Sequence, residues 1–164
     1  PFSDPDALSA AYAARSLLPL PSNATALGLS YDPSMGSLAR RVGAPAALYR
    51  GLRAPAVDLL VELAARVRAI ARMSVTAGLA APLLVTSTVT DARYQRARGV
   101  TDRDATTGYS FQIARRYLSH VQAEAFQAML DRLQALNLIA WARTPDTIDI
   151  TVASDADSVI VSGV

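Results

Sequence analysis

The sequence has no cysteine, no lysine, one histidine and one tryptophan among 164 residues. Without cysteine there are no disulfides, no thiolate metal sites and no cysteine nucleophile. With His120 the sole imidazole, every site built on two or more histidines is excluded, and most zinc enzymes with them. A Ser-His-Asp triad would have to use His120. Long hydrophobic runs are also missing. The longest, Ala77–Val85, has nine residues, whereas a membrane-spanning helix needs about 18 or more, so no membrane span is expected. All 16 basic side chains are arginine, set against 14 acidic ones for a formal charge of +2. Arginine without lysine, beside abundant alanine, reads as the bias of a GC-rich bacterial genome. The nearest thing to a basic cluster is Arg93, Arg96, Arg98 and Arg103, and Asp91, Asp102 and Asp104 are interleaved with it. A nucleic-acid binder needs a clustered basic face, so no nucleic-acid partner is expected.

What is present is a core. Half of the residues are hydrophobic (51%) and only 18% are charged, which argues against disorder. The length predicts one domain, able to bury roughly two-thirds of its unfolded surface without staples. The start at Pro1 reads as a processed product or a fragment, and the residues contain no signal-peptide apolar stretch.

Proline marks a boundary near residue 50, since six of the nine prolines precede it. Asp4-Pro5-Asp6 reads as a helix start, with a helix over 7–18 stopped by Pro19 and Pro21. Residues 19–36 read as loop, and 37–42 and 45–52 as short helical pieces. Asn23-Ala24-Thr25 matches a glycosylation sequon by chance. Residues 1–50 are therefore expected to form an arm of helical pieces and Pro-rich loop. Pro55 opens a helix over 55–72, with Val57, Leu60, Ala64, Val67 and Ala71 on one face and a Glu62–Arg66 pair on the other. Gly78 ends that segment. Residues 83–89 read as a buried strand, 91–107 as a long loop or short helix, and 107–114 as a second strand. A second helix is expected over 118–136, with Leu118, Val121, Ala125, Met129, Leu133 and Leu136 inward and His120 on the polar face beside Ser119 and Gln122. Strands over 138–142 and 147–152 flank a turn at 143–146. The tail 154–164 reads as a short strand or loose chain. The expected class is α+β: a small antiparallel sheet packed by two main helices.

Two strings resemble a known family. Ala105-Thr-Thr-Gly108-Tyr-Ser110-Phe-Gln112-Ile113 resembles the H-x-x-G-x-A-x-D-[IV] motif of the D-alanyl-D-alanine carboxypeptidase (VanY-type) zinc peptidases. Trp141-Ala-Arg-Thr-Pro-Asp146-Thr-Ile-Asp149-Ile-Thr-Val152 resembles that family's closing strand. Residues Val85–Thr90 are similar to the preceding strand (V-T-S-G-Y-R), and Tyr94-Gln95 to the following Y-Q. The element order agrees over about 50–153, so the resemblance implies a Hedgehog/DD-peptidase-like domain over 51–153. It also implies a groove that includes Ser87, Gln95, Ala105, Gly108, Gln112, Asp146 and Asp149. Family zinc would be held at positions 105, 112 and 149, and the general base matches Asp146.

This chain departs from the family at each ligand. Ala105 has no donor atom, Gln112 is neutral, and Asp149 alone cannot hold zinc, which needs three or four N, S or carboxylate donors. The family's arginine, near Thr90, is absent. Without a metal-bound water, Asp146 has nothing to activate. No catalytic residue, metal or cofactor is expected, and the chain reads as a pseudoenzyme: a binding or assembly module for a peptide, a cell-wall fragment or a partner protein. Two alternatives remain open. One is a metal-dependent peptidase that uses Asp102, Asp104, Asp146 and Asp149 as a carboxylate site; the other is a purely structural subunit. The resemblance favours an extracytoplasmic bacterial location, and the oligomeric state is left open.

Individual residues carry structural expectations. Gly108 is expected at the start of a strand with an unusual φ. Ser110 and Gln112 share one strand face, with Phe111 turned to the core. Asp149, between Ile148 and Ile150, sits on a half-exposed strand. Tyr109 and Trp141 are expected as core or rim aromatics.

Overall fold

The computed structural model describes residues 1–72, 82–117 and 119–156. In chain order the elements are α1 (Pro5–Ala13), β1 (Leu18–Pro19), β2 (Leu29–Tyr31), β3 (Gly51–Leu52), α2 (Ala54–Arg72), β4 (Leu83–Ser87), α3 (Ala92–Arg98), β5 (Ser110–Ala114), α4 (His120–Ala135), β6 (Ile139–Arg143) and β7 (Thr147–Val152). Short 3-10 turns lie at Thr25–Leu27, Ala39–Val42, Ala46–Tyr49 and Asp104–Thr106.

The class is α+β, but the sheet is mixed rather than antiparallel. Five strands run in the order β2-β4-β5-β7-β6, and β1 and β3 form a separate antiparallel pair. The parallel element is β2, with Leu29 opposite Leu83 and Tyr31 opposite Val85. It lies inside 19–36, a stretch whose sequence reads as loop. Three residues between Gly28 and Asp32 are too short to show an alternation. Leu29 nevertheless is 1% exposed, so burial against α2 and β4 decides the conformation.

The first helix is shorter than expected. Asp4 caps it by accepting the Ala7 N–H at 2.9 Å, and Pro5 occupies the first turn. It ends at Ala13 because Arg15 takes a left-handed φ of 60°. The Ser16 N–H then returns to the Ala11 carbonyl at 2.9 Å, a closure that satisfies a helix-end acceptor. The turn delivers Leu17 to a buried site, which a continued helix would not do.

The two long helices carry the main core. On α2, Val57, Leu60, Ala64, Val67 and Ala71 are all buried, as the spacing predicts, and Arg66 donates to Glu62 at 2.5 Å. On α4 the inward face is Gln122, Ala125, Phe126, Met129, Leu130 and Leu133. Val121 is only half-buried and Leu136 is 44% exposed, so the face is rotated from the expected one. His120 is exposed, as expected, but Gln122, placed beside it on the polar face, is 1% exposed. Leu118, Gly78 and the tail beyond Ala156 lie outside the described residues.

Both helices cover one face of the sheet, against Phe111, Ile113, Ile148, Ile150 and Val152. A second, smaller core joins Leu8, Leu17, Ala39, Tyr49, Val89 and Tyr94. It seats α3 through Tyr94. In it Asp91, fully buried, accepts from the Tyr49 hydroxyl at 2.6 Å and from the Tyr94 N–H at 2.8 Å.

Candidate functional site

Strand alternation creates a floor. On β5, Phe111 and Ile113 enter the core, so Ser110 and Gln112 face away from the helices. On β7, Ile148, Ile150 and Val152 enter the core, so Asp149 and Thr151 face the same way as Gln112. Residue pairing then aligns them across strands: Gln112 lies opposite Asp149, and Asp149 opposite Ala142. A second row joins Ser110, Thr151 and Ala140, tied by a 2.7 Å hydroxyl–hydroxyl hydrogen bond between Ser110 and Thr151.

Ser87 completes the first row only because the sheet is irregular. Val85 is opposite Ile113, but Ser87 is opposite Gln112, so two steps on β4 match one on β5. A bulge of this kind re-aims a side chain. With regular pairing Thr86 would face Gln112 and Ser87 would turn towards the helices. The bulge turns Ser87 onto the floor, while the Thr86 hydroxyl lies 3.4 Å from the Gln112 carbonyl.

The wall comes from α3 and the segment to Ala105. Asp91 starts α3 and Gly99 closes it with φ 78°. Gln95 clamps the following loop: its Nε2 donates to Thr90 Oγ1 at 2.9 Å and to the Asp102 carbonyl at 2.6 Å, and its Oε1 accepts the Asp102 N–H at 2.8 Å. It is 5% exposed, so its main work is positioning. Asp102 Oδ1 accepts from the Asp104 and Ala105 N–H groups at 3.0 and 3.3 Å. The Thr90 N–H donates to the Ala105 carbonyl at 3.0 Å, which brings Ala105 to the cleft.

Floor and wall enclose a cleft of about 440 Å³. Of the seven groove positions read from the sequence, it brings together Ser87, Gln95, Ala105, Gln112 and Asp149. Gly108 and Asp146 are elsewhere. Gly108 has φ +82°, and a Cβ there would lie 3.0 Å from Arg53 Cγ and from Leu17 Cδ2. Its place is structural, at the tight approach to α2, where Arg53 stacks between the rings of Phe2 and Tyr109 at 5.1 and 5.3 Å. Asp146 precedes β7 and lines a separate depression with Asp32, Arg115 and Arg116. Asp146 lies in the bend before β7 rather than on the strand, beyond Thr147 and away from the Gln112–Asp149 row.

The cleft also contains residues that sequence reading did not assign to it. Ala140, Ala142 and Thr151 follow from the alternation of β6 and β7 once the inward faces are known. Arg98, at the exposed end of α3, has no such signal. Trp141 borders the cleft by position, but its side chain packs with the core and lies 5.9 Å beneath the Arg143 guanidinium. Its indole Nε1 is buried without a hydrogen-bond partner.

The chemistry on offer is limited. The ionisable lining is Arg98, Asp102, Asp104 and Asp149, and Asp149 Oδ1 already accepts from the Thr147 hydroxyl at 2.9 Å. Among the described residues no three His, Cys, Asp or Glu side chains are grouped to hold a metal ion. The set Asp102, Asp104, Asp146 and Asp149 is not one site, because Asp146 is on the other depression. No protein-family model, curated protein or solved structure compared with this chain matches it.

Proposed function

We propose that this chain is a catalytically silent relative of the D-alanyl-D-alanine carboxypeptidase (VanY-type) zinc peptidases, with a Hedgehog/DD-peptidase-like fold. In this reading the former metal cleft serves as a binding groove for a peptide, a cell-wall peptide fragment or a peptide segment of a partner protein. The observation that carries the reading is the convergence of Ala105, Gln112 and Asp149 on one cleft. The resemblance assigns these three positions to a single zinc. Asp149 is far in sequence from Ala105 and Gln112, and alternation alone sets which face each strand residue takes but not that the two strands pair in this register.

The side chains at those positions argue for binding rather than catalysis. A methyl group, a neutral amide and one carboxylate provide no tight zinc site and no activated water. They do provide a floor of hydroxyl, amide and carboxylate groups between apolar Ala142 and Val100, a mixture suited to a peptide ligand.

The test restores the donors. The triple variant Ala105→His, Gln112→Asp, Asp149→His is expected to bind one zinc per chain by titration calorimetry, with no comparable binding by the parent. A folded triple variant without zinc affinity would remove the basis for aligning these positions with the family.

A further inference from the structure

We propose that the free edge of β6 captures an extended peptide as an added strand, with a basic side chain of that peptide directed to Asp149 and Asp104. The inference rests on the reading of the cleft as a peptide groove and names how the peptide is held.

The edge follows from the hydrogen-bond pattern. Among the described strands β6 pairs only with β7. The Ala153 N–H donates to the Leu138 carbonyl at 2.8 Å, and the Thr144 N–H to the Thr147 carbonyl at 2.9 Å. In an antiparallel ladder such pairs alternate, so the backbone groups of Ala140 and Ala142 also point to β7. Those of Ile139, Trp141 and Arg143 point to the outside. The Val152 N–H, opposite Ile139, donates to Tyr109 of the β5 side at 2.9 Å, which fixes the phase independently. An outer row of N–H and C=O groups is a template for strand addition.

The cleft face of β6 is shaped for the same event. Its two residues on that side are Ala140 and Ala142, both exposed. They place only methyl groups between the edge and Asp149, which is opposite Ala142. A residue of the added strand facing Ala142 would sit about two strand spacings, ~9.5 Å, from Asp149. A lysine or arginine side chain spans that gap over Ala142, whereas a short side chain does not. The carboxylates Asp149 on the floor and Asp102 and Asp104 on the wall outnumber the one basic lining residue, Arg98 at the end of α3. Backbone pairing supplies affinity at the edge, and the carboxylates select the side chain.

The experiment uses the full chain and three capped heptapeptides of alternating Thr and Val. The first has a central Lys, the second a central Glu, and the third the Lys with N-methyl groups at alternate edge-facing amides. Titration calorimetry gives affinity, and amide NMR shifts locate the contact. The Lys peptide is expected to bind, shifting the amides of Ile139, Trp141 and Arg143. The Glu and N-methylated peptides are each expected to bind about tenfold more weakly. Asp149→Asn is expected to reduce the preference for Lys over Glu about fivefold. Equal binding of the Lys and Glu peptides, equal binding after N-methylation, or shifts away from β6 would overturn the proposal. So would a dimer formed through β6 that excludes the peptide. If the rebuilt triple variant captures zinc and no peptide binds, this inference fails and the groove reading stands; if zinc capture fails, the groove reading itself falls.

Discussion

Tyr49 shows how one hydrogen bond supports a site it does not touch. Its hydroxyl donates to buried Asp91, and its ring stacks on Tyr94 with centroids 4.1 Å apart. Asp91 in turn caps α3, which builds the cleft wall. Tyr49→Phe leaves one buried carboxyl oxygen without its donor, a loss of about 1–3 kcal/mol, measurable by urea denaturation. Burial first, then the bond to Asp91, pushes the Tyr49 phenol well above its ordinary pKa. Burial does the same for Tyr12. A phenol whose folded pKa is raised contributes stability that is complete below its unfolded pKa of about 10 and is lost as pH rises above that value. The protein is therefore expected to lose stability above about pH 10, and Tyr49→Phe to flatten that alkaline slope. A slope unchanged by the substitution would show that Tyr49 does not stay protonated in the fold. None of this was legible in the sequence, where Asp91 read only as an acid diluting a basic run.

The strands were legible where alternation was long enough. In 110–114 and 147–152 every second residue is apolar, and those residues are the ones that entered the core. The reading of Gln112 and Asp149 as outward-facing followed from that period. It predicts a sharp contrast in stability between neighbours. Gln112→Ala and Asp149→Ala are expected to change unfolding free energy by less than about 0.5 kcal/mol. Phe111→Ala, 2% exposed in the parent, is expected to lose about 3–5 kcal/mol. Thermal denaturation of the three variants checks the order, and a large loss at Gln112 would mean that the floor is part of the core. The failures were also failures of length and of pairing. β2 is three residues long and pairs with a strand more than fifty residues away. The bulge at Thr86 is a property of two strands together, so no single string displays it. On α4, an alanine-rich and glutamine-rich surface hid the true inward face, and Phe126 with Leu130 decided it.

At the scale of the molecule, there are two cores, and the cleft lies between the sheet's β5–β7–β6 face and the α3 wall. The helices pack on one sheet face, and the segment before residue 50 with α3 forms the second core. Residues 29–31 complete the sheet edge, so that segment contributes to the architecture and not only to its surface. No described helix is long and apolar enough to cross a membrane. The residues that the sequence assigned to a groove divide by physical cause. Five share the cleft because they sit on adjacent strands or on the clamped wall; Gly108 serves a tight backbone approach, and Asp146 lies in the bend before β7. The central claim is that positions 105, 112 and 149 surround one vacated metal site. A crystal structure of the triple variant Ala105→His, Gln112→Asp, Asp149→His grown with zinc measures this directly. The account predicts one zinc in the cleft, bound to all three substituted side chains at about 2.0–2.2 Å. Zinc bound elsewhere, or a folded variant with an empty cleft, would contradict it.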